Sequence, residues 1–332
     1  MSSAPVKKVF SSLQFYTYFF CPYAHRSLIA LIEAQLANKL DAFSSDQQAT
    51  AITYHEVDLY LNEQLTDSFK SINPQGKVPT IRFKLNDGSN SEQELIINES
   101  LVINDFLQEV LIPELLPINS NDGQAESAYK KSLAKIWISY FDSNVNSLLF
   151  KLVFGEEPSL EKVKAEILTP IQDKLTFLVR NGFSAARKAV SEGPYFFGNH
   201  FSLVDIAYFP FVTRLEIILR HKYGLNLFEP FGNASQQTAD ALKLFSAWYE
   251  NVKARESIQR SSFKPLFVPV TFTSNELKKQ SVSGFNADIK ELKELRKPGV
   301  ISQDEFDTKF FDYEKYVVLG FDLLRKREQQ RK

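Results

Sequence analysis

The sequence has little material for metal or disulfide chemistry. Its 332 residues include one cysteine, Cys21, and four histidines. A single cysteine excludes an internal disulfide framework and a thiolate-rich zinc site, and the histidines are too scattered to indicate a metal centre. A net charge of −1 gives no overall field that would select nucleic acid or an anionic membrane. We therefore expect no metal, no nucleic-acid partner and no membrane partner.

Several common motifs are also missing. The chain has no Gly-rich phosphate loop, no Gly-x-Ser-x-Gly elbow and no His-Glu-x-x-His, so nucleotide, hydrolase and zinc-protease functions lack support. No apolar run reaches the 18 uninterrupted residues typical of a membrane span. The apolar stretch near the start has no small-residue cleavage site, which argues against a secretory signal. These absences predict a cytoplasmic protein in a reducing compartment.

What the chain does contain is ample core material. It is 44% hydrophobic and 24% charged, with 29 Phe and 13 Tyr, a balance that suits a globular protein with helical cores. Its length predicts about two domains and an extra module. We expect a flexible arm at 1–12, a first domain at 13–115, a helical domain at 124–270 and an extension at 275–332.

Cys21 lies where a predicted strand, 13–20, gives way to a predicted helix. Pro22 fits the first helical position, because a helix makes no use of the N–H that proline lacks. The thiol would then face unpaired N–H groups and the positive end of the helix dipole, which favour the thiolate. A thiol of low pKa is a better leaving group, so this position suits a cysteine that forms a mixed disulfide and is then displaced from it. Free cysteine is also a common core residue, so position alone leaves a structural role open.

A second group of residues follows the predicted strand at 52–59. Pro79 opens an apolar strand, at a position where a cis peptide bond would turn the Val78 backbone towards an extended peptide ligand. Ser100 begins a helix, where its hydroxyl and the backbone N–H groups could hold a carboxylate. Glu99 could receive an ammonium group. The alternative is that Ser100 is only an N-cap and Glu99 an acid favoured by the helix dipole.

The order strand, Cys21-Pro22-Tyr23-Ala24, helix, strand, Val78-Pro79, hairpin and Glu99-Ser100 resembles the thioredoxin-like domain of glutathione transferases. Cysteine in place of the usual tyrosine or serine is similar to the omega class. The run Cys-Pro-x-Ala-His-Arg also resembles glutathionyl-hydroquinone reductases. The resemblance implies an α/β domain of order βαβαββα, followed by an all-helical domain.

The resemblance also implies roles for individual residues. Cys21 would form a mixed disulfide with glutathione, the Val78 backbone before a cis Pro79 would pair with the cysteinyl part, and Glu99 and Ser100 would bind the γ-glutamyl end. The further contacts implied are Phe20, Pro22, Tyr23 and Lys77. Omega enzymes use a lysine at the position that Leu65 occupies here, so that contact is missing unless Lys70 or Lys77 replaces it.

The second half is almost wholly helical from 124 to 251, with breaks predicted at 155–158, 182, 193–194 and 228–232. Ser202 and Asp205 make an acidic capping box, and this segment resembles a buried helix start of the transferase C-terminal domain. Trp137, Tyr140 and Phe141 fall on the first helix after the linker at 113–123. One face of that helix could line a substrate pocket, although aromatic residues at helical spacing more often belong to a core.

The extension at 275–332 predicts a helical hairpin. A short helix at 287–296 stops at Pro298, and a second capping box starts at Ser302. Apolar residues then recur at spacings of three and four, which is typical of an amphipathic helix; they are Phe306, Phe310, Tyr313, Val317, Phe321 and Leu324. Such a hairpin cannot bury its apolar stripe alone, so it must dock on the body, a second subunit or another partner.

Together these features predict a glutathione-dependent thiol transferase that uses glutathione as co-substrate and forms a homodimer. The resemblance implies deglutathionylation and dehydroascorbate reduction. Three alternatives remain: a glutathionyl-hydroquinone reductase, a non-catalytic interaction protein on the same fold, and conjugation of electrophiles through a tyrosine hydroxyl of Tyr16, Tyr18 or Tyr23.

Overall fold

The computed structural model describes residues 10–18, 20–40, 43–44, 52–59, 62–85, 94–154, 158–262 and Arg325. These residues form two compact units. The first unit holds the described residues up to Ile103 together with 260–262. The second holds the described residues from Asn104 to Gln259 together with Arg325. The predicted extension at 275–332 therefore lies outside the described residues, except for Arg325.

A mixed sheet forms the centre of the first unit. Its strands are β1 (Phe10–Thr17), β2 (Phe43–Ser44), β3 (Ile52–Glu56), β4 (Thr80–Leu85) and β5 (Leu95–Asn98), in the order β2-β3-β1-β4-β5. β3 is parallel to both β1 and β2, whereas β4 is antiparallel to both β1 and β5. The middle of β1 is fully buried because Phe15 pairs with Tyr54 on one side and with Ile81 on the other.

The predicted thioredoxin-like fold is confirmed, with two local differences. β1 begins at Phe10, inside the predicted arm, because Phe10 pairs with Leu85 and its ring packs on Phe83 at a centroid distance of 5.2 Å. The two-residue strand β2 has no counterpart in the predicted order βαβαββα. A strand this short carries no readable alternation, so only its pairing with β3 reveals it.

Three helices of the first half lie between or after the strands in the sequence. They are α1 (Pro22–Leu36), α2 (Asp67–Lys70) and α3 (Ser100–Val110), with a 3₁₀ turn at Glu63–Leu65. α1 is buried along most of its length, as expected for a crossover helix that packs on a parallel strand pair. The consequence for the site is that both strand-to-helix junctions, at Cys21 and at Ser100, belong to the first unit.

The second unit is helical, as predicted. A second 3₁₀ turn, Pro113–Leu115, precedes it, and three π-helical stretches interrupt its helices. The helices are α4 (Gln124–Phe141), α5 (Ser147–Phe154), α6 (Leu160–Val163), α7 (Thr169–Phe177), α8 (Ser184–Ala189), α9 (Leu203–Tyr223), α10 (Gln236–Lys253) and α11 (Glu256–Ser262); the π-helical stretches are Asp142–Asn146, Lys164–Leu168 and Leu178–Phe183. No helix in the described part of the chain is long and apolar enough to cross a membrane.

The predicted helix break at Gly182 is wrong. Gly182 lies inside the π-helical stretch Leu178–Phe183, and the chain continues directly into α8. A β-carbon at Gly182 would lie 2.9 Å from Cδ2 of Trp137, so glycine is needed there for close packing on the indole. The sequence signal was real, but it reports a close approach between helices and not a turn.

Aromatic rings fill the core of the second unit. Phe141 stacks on Tyr208 at 4.2 Å between centroids, and Phe245 packs on Trp248 at 4.7 Å. Phe183 lies edge-on to Phe196 at 4.9 Å. Rings of this kind bury a large apolar area with few rotatable bonds. This explains the high phenylalanine content noted in the sequence.

One histidine of the first unit is held in its neutral form by its surroundings. His55 on β3 stacks on Tyr16 of β1 at 4.6 Å and an interplanar angle of 12°. Burial lowers the pKa of His55, and the nearby Arg82 guanidinium lowers it further. Burial also lowers the pKa of His200 in the second unit.

We expect His55 to weaken the fold in acid. The unfolded chain binds the proton near the ordinary histidine pKa of about 6.5, whereas the folded chain binds it only at lower pH. The free energy of unfolding should therefore be largest above pH ~6.5 and fall as the pH drops below it. His55→Phe keeps a ring beside Tyr16 and should reduce this slope, leaving the part due to His200. Urea denaturation between pH 8 and pH 5.5 measures this slope for the native chain and for His55→Phe. Identical slopes for His55→Phe and the native chain would contradict the assignment.

Candidate active site

Cys21 lies at the N-terminus of α1, as the sequence predicts. It is the N-cap residue, with φ −72° and ψ 115°, and Pro22 follows at the first helical position. Its N–H donates to the carbonyl of Tyr18 at 2.9 Å, and its carbonyl accepts from the N–H of His25 at 3.0 Å. These bonds fix the backbone on both sides of the residue. Cys21 as a residue is partly exposed, so it is not a fully enclosed core residue.

The sulfur faces the turn that precedes β4, the antiparallel neighbour of β1. The Cys21 thiol donates to the carbonyl of Val78, with 3.9 Å between Sγ and O. The peptide bond between Val78 and Pro79 is cis, as the sequence analysis anticipated, and both residues are buried. β4 begins at the next residue, Thr80. The turn therefore presents a backbone carbonyl directly to the cysteine.

A buried amide supports this turn. The Nδ2 group of Asn73 donates to the carbonyl of Lys77 at 2.8 Å and to the hydroxyl of Thr80 at 3.0 Å. Its Oδ1 accepts from the N–H of Gln75 at 3.1 Å and from Nδ2 of Asn98 at 3.3 Å. Asn73 is 1% exposed. It thus links the loop before Val78 to the end of β5, a role that no local sequence pattern indicates.

We expect Asn73→Ala to loosen the turn. The change removes the donor to the buried Thr80 hydroxyl and a donor to the Lys77 carbonyl, which still accepts from the Thr80 hydroxyl at 3.3 Å. It also removes the acceptor of the Gln75 N–H and of the Asn98 amide, and an unpaired buried polar group costs roughly 1–3 kcal/mol. The free energy of unfolding should fall by about 2–4 kcal/mol. Urea denaturation of the full chain checks this. Gln75→Ala is the matched control, because Gln75 joins the network through its backbone and its side chain is exposed. Equal stabilities for the two variants would show that the Asn73 amide does not support the turn.

The second strand-to-helix junction places Glu99 and Ser100 at the start of α3. Glu99 has φ +69°, a left-handed conformation that costs a non-glycine residue roughly 1–2 kcal/mol. Its side chain is exposed, whereas Ser100 is buried at 5% exposure. The hydroxyl of Ser27 on α1 donates to the carbonyl of Ser100 at 3.4 Å. The helix that carries Cys21 is therefore tied directly to this junction.

The comparisons with known proteins agree with this geometry. Residues 20–110 match the family model described as the N-terminal domain of glutathione S-transferase. Residues 178–251 match the model described as its C-terminal domain. Two stretches of the chain therefore resemble the two domains of glutathione S-transferases. The first match covers both strand-to-helix junctions, and the second covers the Ser202–Asp205 segment.

Two curated plant proteins are similar to this chain. Protein IN2-1 homolog A of Oryza sativa subsp. japonica is 26% identical over 66% of this chain and 72% of its own length. Glutathione S-transferase L3 of Arabidopsis thaliana is 24% identical over 80% of this chain and 88% of its own length.

Two solved glutathione transferases share the fold. Omega 3C from Trametes versicolor has a TM-score of 0.51 and 25% identity, with 78% of this chain and 85% of that chain covered. The trimeric transferase TDR1 from Leishmania has a TM-score of 0.53 and 19% identity, with 76% of this chain covered. Our chain spans only 46% of the length of the Leishmania chain.

Leu65 occupies the position at which omega-class transferases use a lysine. Leu65 ends the 3₁₀ turn Glu63–Leu65 and is 46% exposed. It packs beside Gly76, which has φ +62° and whose β-carbon would lie 2.8 Å from the carbonyl oxygen of Gln64. Lys70 and Lys77 are both exposed. Either can still replace the missing contact, and that choice stays a prediction.

The other predicted glutathione contacts surround Cys21 in sequence. Phe20 and Pro22 are buried, and Tyr23 is half-buried. The guanidinium of Arg26 lies over the Tyr23 ring, 5.5 Å from its centroid. Arg26 is itself only 1% exposed. These residues form the start of α1 that carries the cysteine.

The residues predicted for a substrate pocket divide into two kinds. Phe141 is fully buried against Tyr208 and therefore belongs to the core of the helical unit. Trp137 and Tyr140 are half-buried and pack together with Phe177, which is 49% exposed. The hydroxyl of Tyr140 donates to the carbonyl of Lys174 at 3.3 Å. Trp137 and Tyr140 remain candidates for contact with a substrate.

Asp205 organises the start of α9. Oδ2 accepts from the N–H and the hydroxyl of Ser202, both at 2.8 Å, and Ser202 Oγ accepts from the N–H of Val204 at 3.3 Å. Oδ1 accepts from the N–H of Phe196 at 2.9 Å and from Nε1 of Trp248 at 2.7 Å. Burial raises the pKa of Asp205, although all four donors favour the charged form. With every acceptor position used inside the fold, Asp205 has a structural role.

The described residues contain no cluster of histidine, cysteine, aspartate or glutamate that could hold a metal ion.

Proposed function

We propose that this chain is a glutathione-dependent thiol transferase in which Cys21 is the nucleophile. The observation that carries the proposal is the place of Cys21, a partly exposed residue at the N-terminus of α1 whose sulfur lies 3.9 Å from the Val78 carbonyl. The unpaired N–H groups of a helix N-terminus stabilise a thiolate. Cysteine in this place, with the Val78–Pro79 turn opposite, favours disulfide exchange over conjugation, for which a hydroxyl is used.

Glutathione is the proposed co-substrate, bound as an extended peptide along the turn. Its cysteinyl N–H would take the Val78 carbonyl that the Cys21 thiol now contacts weakly, because 3.9 Å is long even for sulfur. Its γ-glutamyl carboxylate would meet Ser100 and the N–H groups at the start of α3. The exposed Glu99 would pair with its ammonium group, and Phe20, Pro22, Tyr23 and Lys77 would surround the peptide.

The proposed reaction has two steps. The Cys21 thiolate attacks the glutathionyl sulfur of a mixed disulfide, so that a Cys21–glutathione disulfide forms and the other thiol leaves as thiolate. A second glutathione thiolate then attacks the glutathionyl sulfur, which gives oxidised glutathione and frees the Cys21 thiolate. The resolving thiol must come from solution, because the chain has no other cysteine.

The proposed activities are deglutathionylation and dehydroascorbate reduction, as in omega-class enzymes. A glutathionyl-hydroquinone reductase would use the same cysteine on a different adduct. Comparing the rate at which the chain reduces phenacyl-glutathione adducts with its rate on glutathionyl-hydroquinones distinguishes an omega-like enzyme from a glutathionyl-hydroquinone reductase. Faster turnover of glutathionyl-hydroquinones would replace the omega-like assignment without changing the role of Cys21.

Intact mass spectrometry after incubation with oxidised glutathione tests the central step. We expect one glutathionyl group per native chain, located on Cys21 by peptide mapping and removed by excess reduced glutathione. A chain that stays unmodified when native but accepts the group when denatured would show an enclosed sulfur and would overturn the proposal. In that case a non-catalytic interaction protein becomes the better description.

The proposal also includes a homodimer in a reducing cytoplasm. Structural relatives differ in assembly, since the Leishmania protein is described as trimeric. Light scattering of the purified full chain decides between monomer, dimer and trimer.

A further inference from the structure

The C-terminal segment contributes a residue to the second unit. Arg325, which is helical, is only 6% exposed. Its Nε donates to the carbonyl of Val153 at 3.3 Å, and its Nη2 donates to the carbonyl of Leu152. Both carbonyls lie in the last turn of α5, which ends at Phe154. Arg325 therefore comes from 172 residues further along the chain to bind the end of this helix.

This contact has a clear physical reason. The last four carbonyls of an α-helix have no partner within the helix, and the negative end of its dipole attracts a cation. Leu152 and Val153 are 0% and 1% exposed, so water has little access to this end of the helix. A buried guanidinium is costly unless its N–H groups find acceptors, which these carbonyls supply. The helix end thus supplies acceptors for Nε and Nη2 of the arginine.

The sequence places the apolar stripe of the extension directly before this arginine. Phe321 is four residues before Arg325, and residues four apart share a face of an α-helix. Leu324 is its immediate neighbour. The stripe that the sequence predicts at 306–324 would be about 30 Å long at 1.5 Å per residue. Arg325 brings one end of that stripe to α5.

α5 offers an aromatic surface for such a segment. Phe150 and Phe154 stack at 5.6 Å with an interplanar angle of 16°. Phe154 is 39% exposed, and Phe150 is half-buried. An exposed aromatic pair at the end of a helix is suited to contact with further aromatic side chains. The predicted stripe is rich in these residues, with Phe306, Phe310, Tyr313 and Phe321.

We propose that residues 306–324 dock on α5 of their own chain, with Arg325 as the anchor that caps the helix. The occupant of this surface is the chain's own C-terminal segment, because the anchoring bonds join two parts of one chain. The extension is then a built-in layer of the helical unit and not an arm for a foreign partner. This inference is independent of the chemistry of Cys21.

Hydrogen exchange with mass spectrometry, on the full chain, tests the docking. In the native chain we expect slow exchange in 306–324 and in 149–154. Arg325→Ala and Phe321→Asp should each raise exchange in both segments at least about tenfold, because each removes one part of a shared contact. Arg327→Ala is the matched control, since it removes a neighbouring arginine two positions away, and it should leave both segments protected.

Three results would overturn the proposal. One is exchange of 306–324 in the native chain at the rate of an unprotected peptide. Another is an effect of Arg325→Ala on α5 alone, which would make the arginine a cap that holds no further segment. The third is protection of 306–324 that disappears on dilution, which would assign the segment to a second copy. Monitoring exchange in α9 and α10 in the same samples shows whether a variant has lost the fold as a whole.

Discussion

Serine at position 21 is expected to abolish thiol transfer. The hydroxyl is not ionised near neutral pH and forms no disulfide, so the rate of glutathionyl transfer should fall at least about a thousandfold. The structural cost should be small, because serine is close in size to cysteine and its hydroxyl can donate to the Val78 carbonyl as the thiol does. The measurements are steady-state deglutathionylation rates and intact mass after incubation with oxidised glutathione.

The control for this variant is Ser11→Ala on β1. Ser11 is exposed and its hydroxyl bonds only distantly to the carbonyl of Lys84, at 3.4 Å, so transfer should be unchanged. Glutathione binding by Cys21→Ser, measured by calorimetry, separates loss of chemistry from loss of the site. Retained conjugation of electrophiles by Cys21→Ala, which has no hydroxyl at this position, would instead assign the activity to a tyrosine hydroxyl. Retained disulfide exchange would refute the role of Cys21.

Removal of the Asp205 carboxylate is expected to give the largest loss of stability. Asp205→Ala leaves four donors without an acceptor inside the fold: two backbone N–H groups, the Ser202 hydroxyl and the Trp248 indole. Truncating one member of a buried charged network costs roughly 3–5 kcal/mol. The free energy of unfolding of the second unit should fall by about that amount, measured by urea denaturation followed through Trp248 fluorescence.

Asp205→Asn separates the two halves of this role. Asparagine keeps one acceptor oxygen but replaces the other with an amide that cannot accept from Ser202. Its loss of stability should therefore lie between those of the alanine variant and the native chain. Asp240→Ala is the control, because Asp240 is exposed on α10 and surface changes usually alter stability by less than about 0.5 kcal/mol. Equal losses for Asp205→Ala and Asp240→Ala would remove Asp205 from the folding argument.

Features encoded by near neighbours were predictable from the sequence. Pro22 after Cys21 marks a helix start because proline suits the first helical position. Ser202 and Asp205 mark another, because a capping box needs only a spacing of three. The family resemblance added the expected cis bond before Pro79, which the structure contains.

Features that depend on distant partners were not. Asn73 looks like a turn residue until Asn98, 25 residues later, is seen to bond to it. Gly182 looks like a helix break until the indole of Trp137 is seen against it. Phe141 could face a pocket or a core by its spacing, and only the stacked ring of Tyr208 decides for the core.

The amino-acid sequence by itself determined that the chain has a single cysteine and that Cys21 lies at the N-terminus of a helix, while the family resemblance predicted the two-part fold. The helix start follows from local backbone preferences and from apolar periodicity, which act over a few residues. Only the tertiary structure decided which carbonyl faces that sulfur, which amide supports the turn, and which helix end receives Arg325. Such contacts join residues tens to more than a hundred positions apart, and they exist only where the packed chain brings their polar groups within hydrogen-bond distance.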